Sequence, residues 1–364
     1  MKNIVLFIDN LGSGGAQRQV ANVACLLKQS GYSVRVLVYQ DIPFYKPILD
    51  NCNIPVVLVK NNGKLSRILN VRKYLNHSET DVVIAFLETP GFIACLSKIG
   101  HKKWKLVTTE RSAKESTFSS RRNRFFNLFE RFAAAKVGNS NNAMNLWRKY
   151  YPQYSDKYSV IYNYIAIPEE YLVDRCCYLE DGRLKITVAA SYQELKNPLR
   201  VIEAVNLLSK EQKEKLQINW YGRAEVTTGD TRIYDMAQEK VKEYGLQQCI
   251  HLNGETSEIY KAMAESDAVG LFSTVEGLPN TICEAMTIGR PVLMSKVSDY
   301  DVLVTDNGVL CDPMSVESIR DALVKMLHAS PGELLEMGQA SKKKANLLFS
   351  SQAITEQWVE IVEK

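Results

Sequence analysis

The chain is predicted to be an α/β protein built from two doubly wound parallel-sheet domains. Short apolar runs of strand length alternate with amphipathic helical stretches from the first residues onward, which is the rhythm of βαβ units. That rhythm lapses once, over 160–183, and then restarts. A length of 364 residues suits two domains, and 46% hydrophobic with 24% charged residues is ordinary globular composition.

The elements follow in order. MKNIVLFIDN begins with a buried strand at 4–8; its apolar run is too short for a signal peptide and no small-residue cleavage site follows. Further strand-like runs lie at 34–39, 56–59, 82–86 and 106–108, separated by helical stretches at about 15–30, 65–76, 90–100 and 121–135. VIYNYIAIPEEYLVDRCCYLEDGR (160–183) loses periodicity and reads as the connection. Strand runs resume at 184–190, 216–221, 249–252, 268–272 and 291–294. The expected organisation is a first domain at 1–165, a hinge at 166–183, a second domain at 184–345 and a final helix within 346–364. No run of ~18 apolar residues is present, so no membrane-spanning helix is expected. The eight cysteines (25, 52, 95, 176, 177, 249, 283, 311) form no CxxC pair and several sit in apolar segments. They read as small core residues of a reduced, cytoplasmic protein. The four histidines (77, 101, 251, 328) have no metal-ligand spacing, and no metal site is expected.

Charge divides the chain. Residues 1–150 carry 23 Lys and Arg against 9 Asp and Glu, while 151–364 carry 22 against 32. A first half with a net +14 points to a polyanionic surface. Within it, RRNRFFNLFERFAAA (121–135) sets Phe125, Leu128, Phe129 and Phe132 at helical spacing among Arg121, Arg122, Arg124 and Arg131. Such a helix either buries its stripe in the core or lies on an anionic membrane surface. No recognition motif accompanies the charge, which argues against nucleic acid.

EGLPNTICEAM (276–286) carries the most chemistry. After the apolar run DAVGLFS (267–273), Asn280 is the expected helix N-cap. Glu276 then lies on the preceding loop and Glu284 one turn inside the helix. Backbone N–H groups of Leu278, Pro279's neighbours Asn280 and Thr281, and the turn at Gly277 would form an anion cradle between two carboxylates. The bland alternative is a loop acid and a first-turn acid favoured by the helix dipole. Gly12, Gly14 and Gly15 lie between the first strand and helix, where glycine admits a ligand to the backbone or simply makes a tight turn. Gln17 breaks the dinucleotide fingerprint there.

STVEGLPNTICEAMTIGRPVLMS (273–295) resembles the donor-site segment of the retaining group 1 glycosyltransferases (family 4), in the pattern found in bacterial surface-glycan enzymes. Ser273, Glu276, Gly277, Glu284, Ala285, Met286, Gly289, Pro291 and Val292 match in order. The resemblance implies the GT-B fold, two Rossmann-like domains facing across a cleft with the last helix packing back toward the first. It also implies retaining transfer of a hexose or N-acetylhexosamine from a nucleotide sugar, UDP being most frequent among relatives, without metal or other cofactor. By the same resemblance, Glu276 serves the donor sugar, Glu284 the ribose, Gly254 the base, and Gly14 and Gly15 the donor diphosphate. Lys196 matches the family's diphosphate lysine, but Ser191 stands at its usual arginine, leaving Arg223 as a candidate substitute. In TERS (109–112), Glu110 and Arg111 replace a pattern that often holds a histidine on the acceptor side; an ion pair between them is the rival reading. Asn163 stands at the family's hinge asparagine. The expected partners are a nucleotide sugar, a lipid-linked saccharide acceptor and an anionic membrane at its cytoplasmic face. A silent nucleotide-sugar-binding subunit, or a GT-B epimerase or phosphorylase, are the alternatives.

Overall fold

The structure, a computed structural model, describes residues 1–100, 103–113, 115–172, 182–225 and 229–364. They form two compact units, Met1–Tyr164 with Ser350–Lys364, and Ile165–Phe349.

The first unit holds seven strands: β1 (Asn3–Phe7), β2 (Ser33–Val38), β3 (Val56–Leu58), β4 (Val82–Ala85), β5 (Lys105–Glu110), β6 (Ala135–Gly138) and β7 (Tyr158–Val160). They pair in parallel in the order β3-β2-β1-β4-β5-β6-β7. Central strands such as β1 and β4 are buried on both faces, which is why they read as unbroken apolar runs. The order reverses between β1 and β4, so ligand chemistry is expected at the carboxyl ends there. The helix Ser351–Glu363 belongs to this unit: Trp358 lies 6.3 Å from Phe86 and Lys2 Nζ donates to Val362 O.

The second unit holds β8 (Leu184–Ala189), β9 (Leu216–Tyr221), β10 (Ile250–Asn253), β11 (Ala268–Leu271), β12 (Val292–Ser295) and β13 (Gly308–Cys311). All pair in parallel, in the order β10-β9-β8-β11-β12-β13, with the reversal between β8 and β11. Both units are therefore the expected doubly wound sheets.

Several elements differ from expectation. β6, β7 and β13 carry no long apolar run and are added by the fold. The helix expected at 121–135 is cut to Arg121–Asn127 plus a 3-10 turn at Glu130–Phe132, because the chain turns extended at Ala133 to enter β6. Its apolar stripe splits: Phe126 stacks on Phe92 at 3.9 Å and Phe129 packs on the core, while Phe125 and Leu128 are 53% and 61% exposed. Neither a wholly buried stripe nor a wholly exposed one describes it. The cysteines are not all free: Cys25, on the helix Gly15–Gln29, is joined to Cys52 at the end of the helix Lys46–Asn51. Cys95, Cys249, Cys283 and Cys311 are buried thiols. Cys176, Cys177 and residues 173–181 of the expected hinge lie outside the described residues.

Candidate active site

The chemistry-bearing residues of the second unit gather where β8 and β11 end. The helix Asn280–Ile288 starts there, with Pro279 in the capping position. Asn280 is thus the first helical residue and not the N-cap, since its N–H is drawn back to Leu278 O at 2.9 Å. Thr281 Oγ1 donates to Ala189 O at 3.2 Å, tying the helix start to the end of β8. Glu284 follows one turn later, 7% exposed, and its carboxylate accepts from Tyr260 Oη at 3.4 Å. Gly289 ends the helix at φ 97°, a left-handed conformation natural to glycine, with Arg290 N reaching back to Ala285 O. That matched glycine is therefore explained by architecture.

Two loops are laced together in front of this helix. Thr274 N donates to Leu195 O at 2.8 Å. One residue beyond Leu195, Lys196 Nζ lies 2.5 Å from Glu276 Oε1, the two side chains 21% and 14% exposed. Gly277 O accepts from Ser298 Oγ, which fixes the turn after Glu276. Leu278 is buried. The result is a partly buried cation–carboxylate pair near the start of a helix whose dipole favours anions. The expected cradle of free N–H groups is reduced, because Asn280 N–H is taken by Leu278 O and those of Ile282 and Cys283 by Pro279 O.

Ser191 and Arg223 are neighbours. The register pairs Ala189 with Tyr221, and beyond it Tyr192 N donates to Arg223 O at 3.0 Å. Ser191 Oγ accepts from Gln193 Nε2 at 2.9 Å, whereas Arg223 is exposed and pairs with Glu255 at 3.2 Å. The approach is close because of Gly222: a Cβ there would lie 2.0 Å from Ala190 O. Gly254 has open space around its missing Cβ. A cavity of about 490 Å³ is lined by Gln193, Leu195, Arg200, Arg232 and Thr274 but by neither Lys196 nor Glu276.

In the first unit, Gly14 caps the helix Gly15–Gln29 with φ −90°, a conformation open to any residue. A Cβ on Gly14 would meet only the end of the Gln17 side chain. Glu110 is buried at the end of β5, and its carboxylate accepts from Arg111 N, Ser112 N and Ser112 Oγ at 3.0–3.1 Å and from Trp147 Nε1 at 3.0 Å. It holds a turn. The Arg111 guanidinium turns instead to Asn163, Nη1 donating to Oδ1 at 2.9 Å. Nothing local in the sequence links Tyr260 to Glu284, or Ser298 to the turn at Gly277 that it fixes. Among the described residues no group of three His, Cys, Asp or Glu is arranged to hold a metal, and no helix is long and apolar enough to cross a membrane.

Two family models cover most of the chain: "Glycosyl transferases group 1" matches 179–344 and "Glycosyltransferase Family 4" matches 13–167. The chain belongs to the group 1 glycosyltransferases. Among curated relatives, this glycosyltransferase is 24% identical to a Campylobacter jejuni α-1,4-N-acetyl-D-galactosaminyltransferase named for a diphospho-undecaprenol-linked GalNAc acceptor, over 79% of this chain and 77% of that one. It is 22% identical to the lipopolysaccharide glucosyltransferase WaaG of Escherichia coli, over 87% of each. Among solved structures, HepE of Anabaena in complex with UDP superposes with a TM-score of 0.84 at 18% identity over the full length of both chains. The glycosyltransferase accordingly has the GT-B fold.

Proposed function

We propose that this glycosyltransferase moves a hexose or N-acetylhexosamine from a UDP-linked donor, with retention at the anomeric carbon, to a lipid-linked saccharide during surface-glycan assembly. The observation that carries the proposal is the Lys196–Glu276 pair beside a helix start, with Glu284 one turn within. Relatives named for lipid-linked and lipopolysaccharide acceptors support the acceptor class.

The donor diphosphate would take the helix N-terminus and Lys196, and Glu284 would accept the ribose hydroxyls. As the bond from anomeric carbon to β-phosphate oxygen breaks, the diphosphate gains charge that the dipole and the ammonium stabilise. The acceptor oxygen bonds to the same face of that carbon, and its proton passes to the departing phosphate oxygen. Glu276 would set negative charge beside the oxocarbenium-like centre. Lysine and helix dipole do the work without a metal on this account. Docking at the inner face of the membrane is supported by exposed Phe125 and Leu128 among the exposed Arg121, Arg122 and Arg124.

The test is a thermal-shift and transfer panel of UDP-, GDP-, ADP- and CMP-sugars, with EDTA and then with Mg²⁺. A shift and transfer with UDP-sugars that survive EDTA are expected. Response to another nucleotide alone, or transfer only with Mg²⁺, overturns the corresponding part of the proposal.

A further inference from the structure

The carboxyl end of β5 collects polar atoms that the first unit leaves unanswered. Among the described residues, Arg111 Nε and Nη2, Thr109 Oγ1 and Asn139 Oδ1 are closed to solvent and make no hydrogen bond. Their residues adjoin in the chain and across the sheet: Thr109 and Arg111 flank Glu110, which pairs with Gly138, and Asn139 N donates to Glu110 O at 3.1 Å. Buried polar groups in folded proteins are nearly always paired, and an unsatisfied guanidinium edge is among the costlier exceptions.

Arg111 is held in place all the same. Its guanidinium lies 4.7 Å from the centre of the Phe86 ring, and Nη1 is fixed by Asn163. Glu110, its sequence neighbour, is occupied by the turn and by Trp147. Burial lowers the guanidinium to about 10, so it is still charged at neutral pH. The unpaired edge, Nε with Nη2, is a fork of two N–H donors that matches two oxygens of a phosphate or carboxylate. Asn139 Oδ1 is an acceptor and calls for a hydroxyl.

We propose that the Nε–Nη2 edge of Arg111 is a phosphate subsite that grips the phosphorylated carrier of the acceptor, while Asn139 Oδ1 accepts from a hydroxyl of the sugar attached to it. This rests on the preceding reading, in which the saccharide acceptor is borne on a phosphorylated lipid. The donor diphosphate is the other source of the same oxyanion, and the experiment separates the two.

Inorganic pyrophosphate is titrated calorimetrically into protein already saturated with UDP, and UDP is titrated alone, for wild type, Arg111→Lys and Arg111→Met. Pyrophosphate binding is expected to fall at least tenfold in Arg111→Met and by less in Arg111→Lys, which keeps the charge but not the fork. UDP affinity should stay within twofold throughout. The melting temperature of Arg111→Met should not fall, because methionine keeps the packing on Phe86 and removes a buried charge. Unchanged pyrophosphate binding in Arg111→Met overturns the proposal, as does parallel loss of UDP, which assigns the oxyanion to the donor. A lowered melting temperature with both affinities unchanged makes Arg111 a structural residue. Wild-type protein that binds pyrophosphate but no UDP refutes the donor reading instead, and the Arg111 comparison is then read on the unliganded protein.

Discussion

Glu276→Gln should tighten nucleotide binding while slowing transfer, because the carboxylate has two opposed effects at one place. In the free protein it neutralises Lys196 across 2.5 Å, with both side chains mostly covered. With charge centres about 4 Å apart and an effective dielectric of about 20, the attraction is about 4 kcal/mol. Measured exposed pairs retain only about 0.2–1 kcal/mol, so this partly solvated pair is worth roughly 1–2 kcal/mol. A diphosphate arriving at Lys196 must work against that attraction and against the carboxylate's own repulsion. Glutamine keeps the volume and one acceptor oxygen but removes the charge. UDP should then bind about five- to thirtyfold more tightly, taking 1.4 kcal/mol per tenfold. Turnover should move the other way, since loss of a preorganised transition-state charge costs about 10²–10³ in rate.

Calorimetric titration of UDP and initial rates at saturating donor measure the two effects separately. Weaker UDP binding in Glu276→Gln would make the carboxylate a binding group and refute the reasoning. Turnover within tenfold of wild type would remove it from the chemistry.

Glu284→Gln preserves shape beside Tyr260 and should weaken UDP about tenfold with little loss of melting temperature, the effect of losing a charged acceptor worth about 1.5 kcal/mol; an unchanged affinity excludes Glu284 from the ribose. Gly222→Ala drives a methyl to 2.0 Å from the Ala190 carbonyl oxygen, and backbone cannot step aside as a side chain does. It should cost about 2–3 kcal/mol, lowering the melting temperature by roughly 5–10 °C in a calorimetric scan. Reduction of the Cys25–Cys52 bridge opens a loop of sequence separation 27 and should destabilise the first unit by about 3–4 kcal/mol on the chain-entropy account, read as an earlier transition in dithiothreitol. Co-sedimentation with anionic vesicles should be lost at 1 M salt and in Arg121→Gln/Arg122→Gln/Arg124→Gln; binding indifferent to both would contradict electrostatic docking.

What was legible in the sequence follows from how burial writes itself into composition. β1, β4, β8 and β11 are covered on both faces, so each appears as an apolar run. β6 is only AKVG, and Ala133, Ala134 and its own Ala135 are good helix formers that extend the apparent helix past the point where Ala133 turns extended. Tertiary pairing with β5 and β7 overrides that propensity. The placement of Glu276 on a loop and Glu284 in the following helix is legible because both are local features. The Lys196–Glu276 pair was not, since 80 residues separate partners that only the neighbouring strand ends bring together.

Glu110 and Arg111 show the limit most clearly. Adjacent opposite charges suggest an ion pair, yet consecutive residues at a strand end point to opposite faces. Glu110 therefore meets Trp147 and the turn amides on one side, while Arg111 meets Phe86 and Asn163 on the other. Separation by the pleat leaves the guanidinium without a carboxylate partner and two of its nitrogens unpaired. Asn163 and Phe86 hold the guanidinium while Nε and Nη2 stay unpaired within the first unit, and that unpaired fork is the observation on which the phosphate proposal rests.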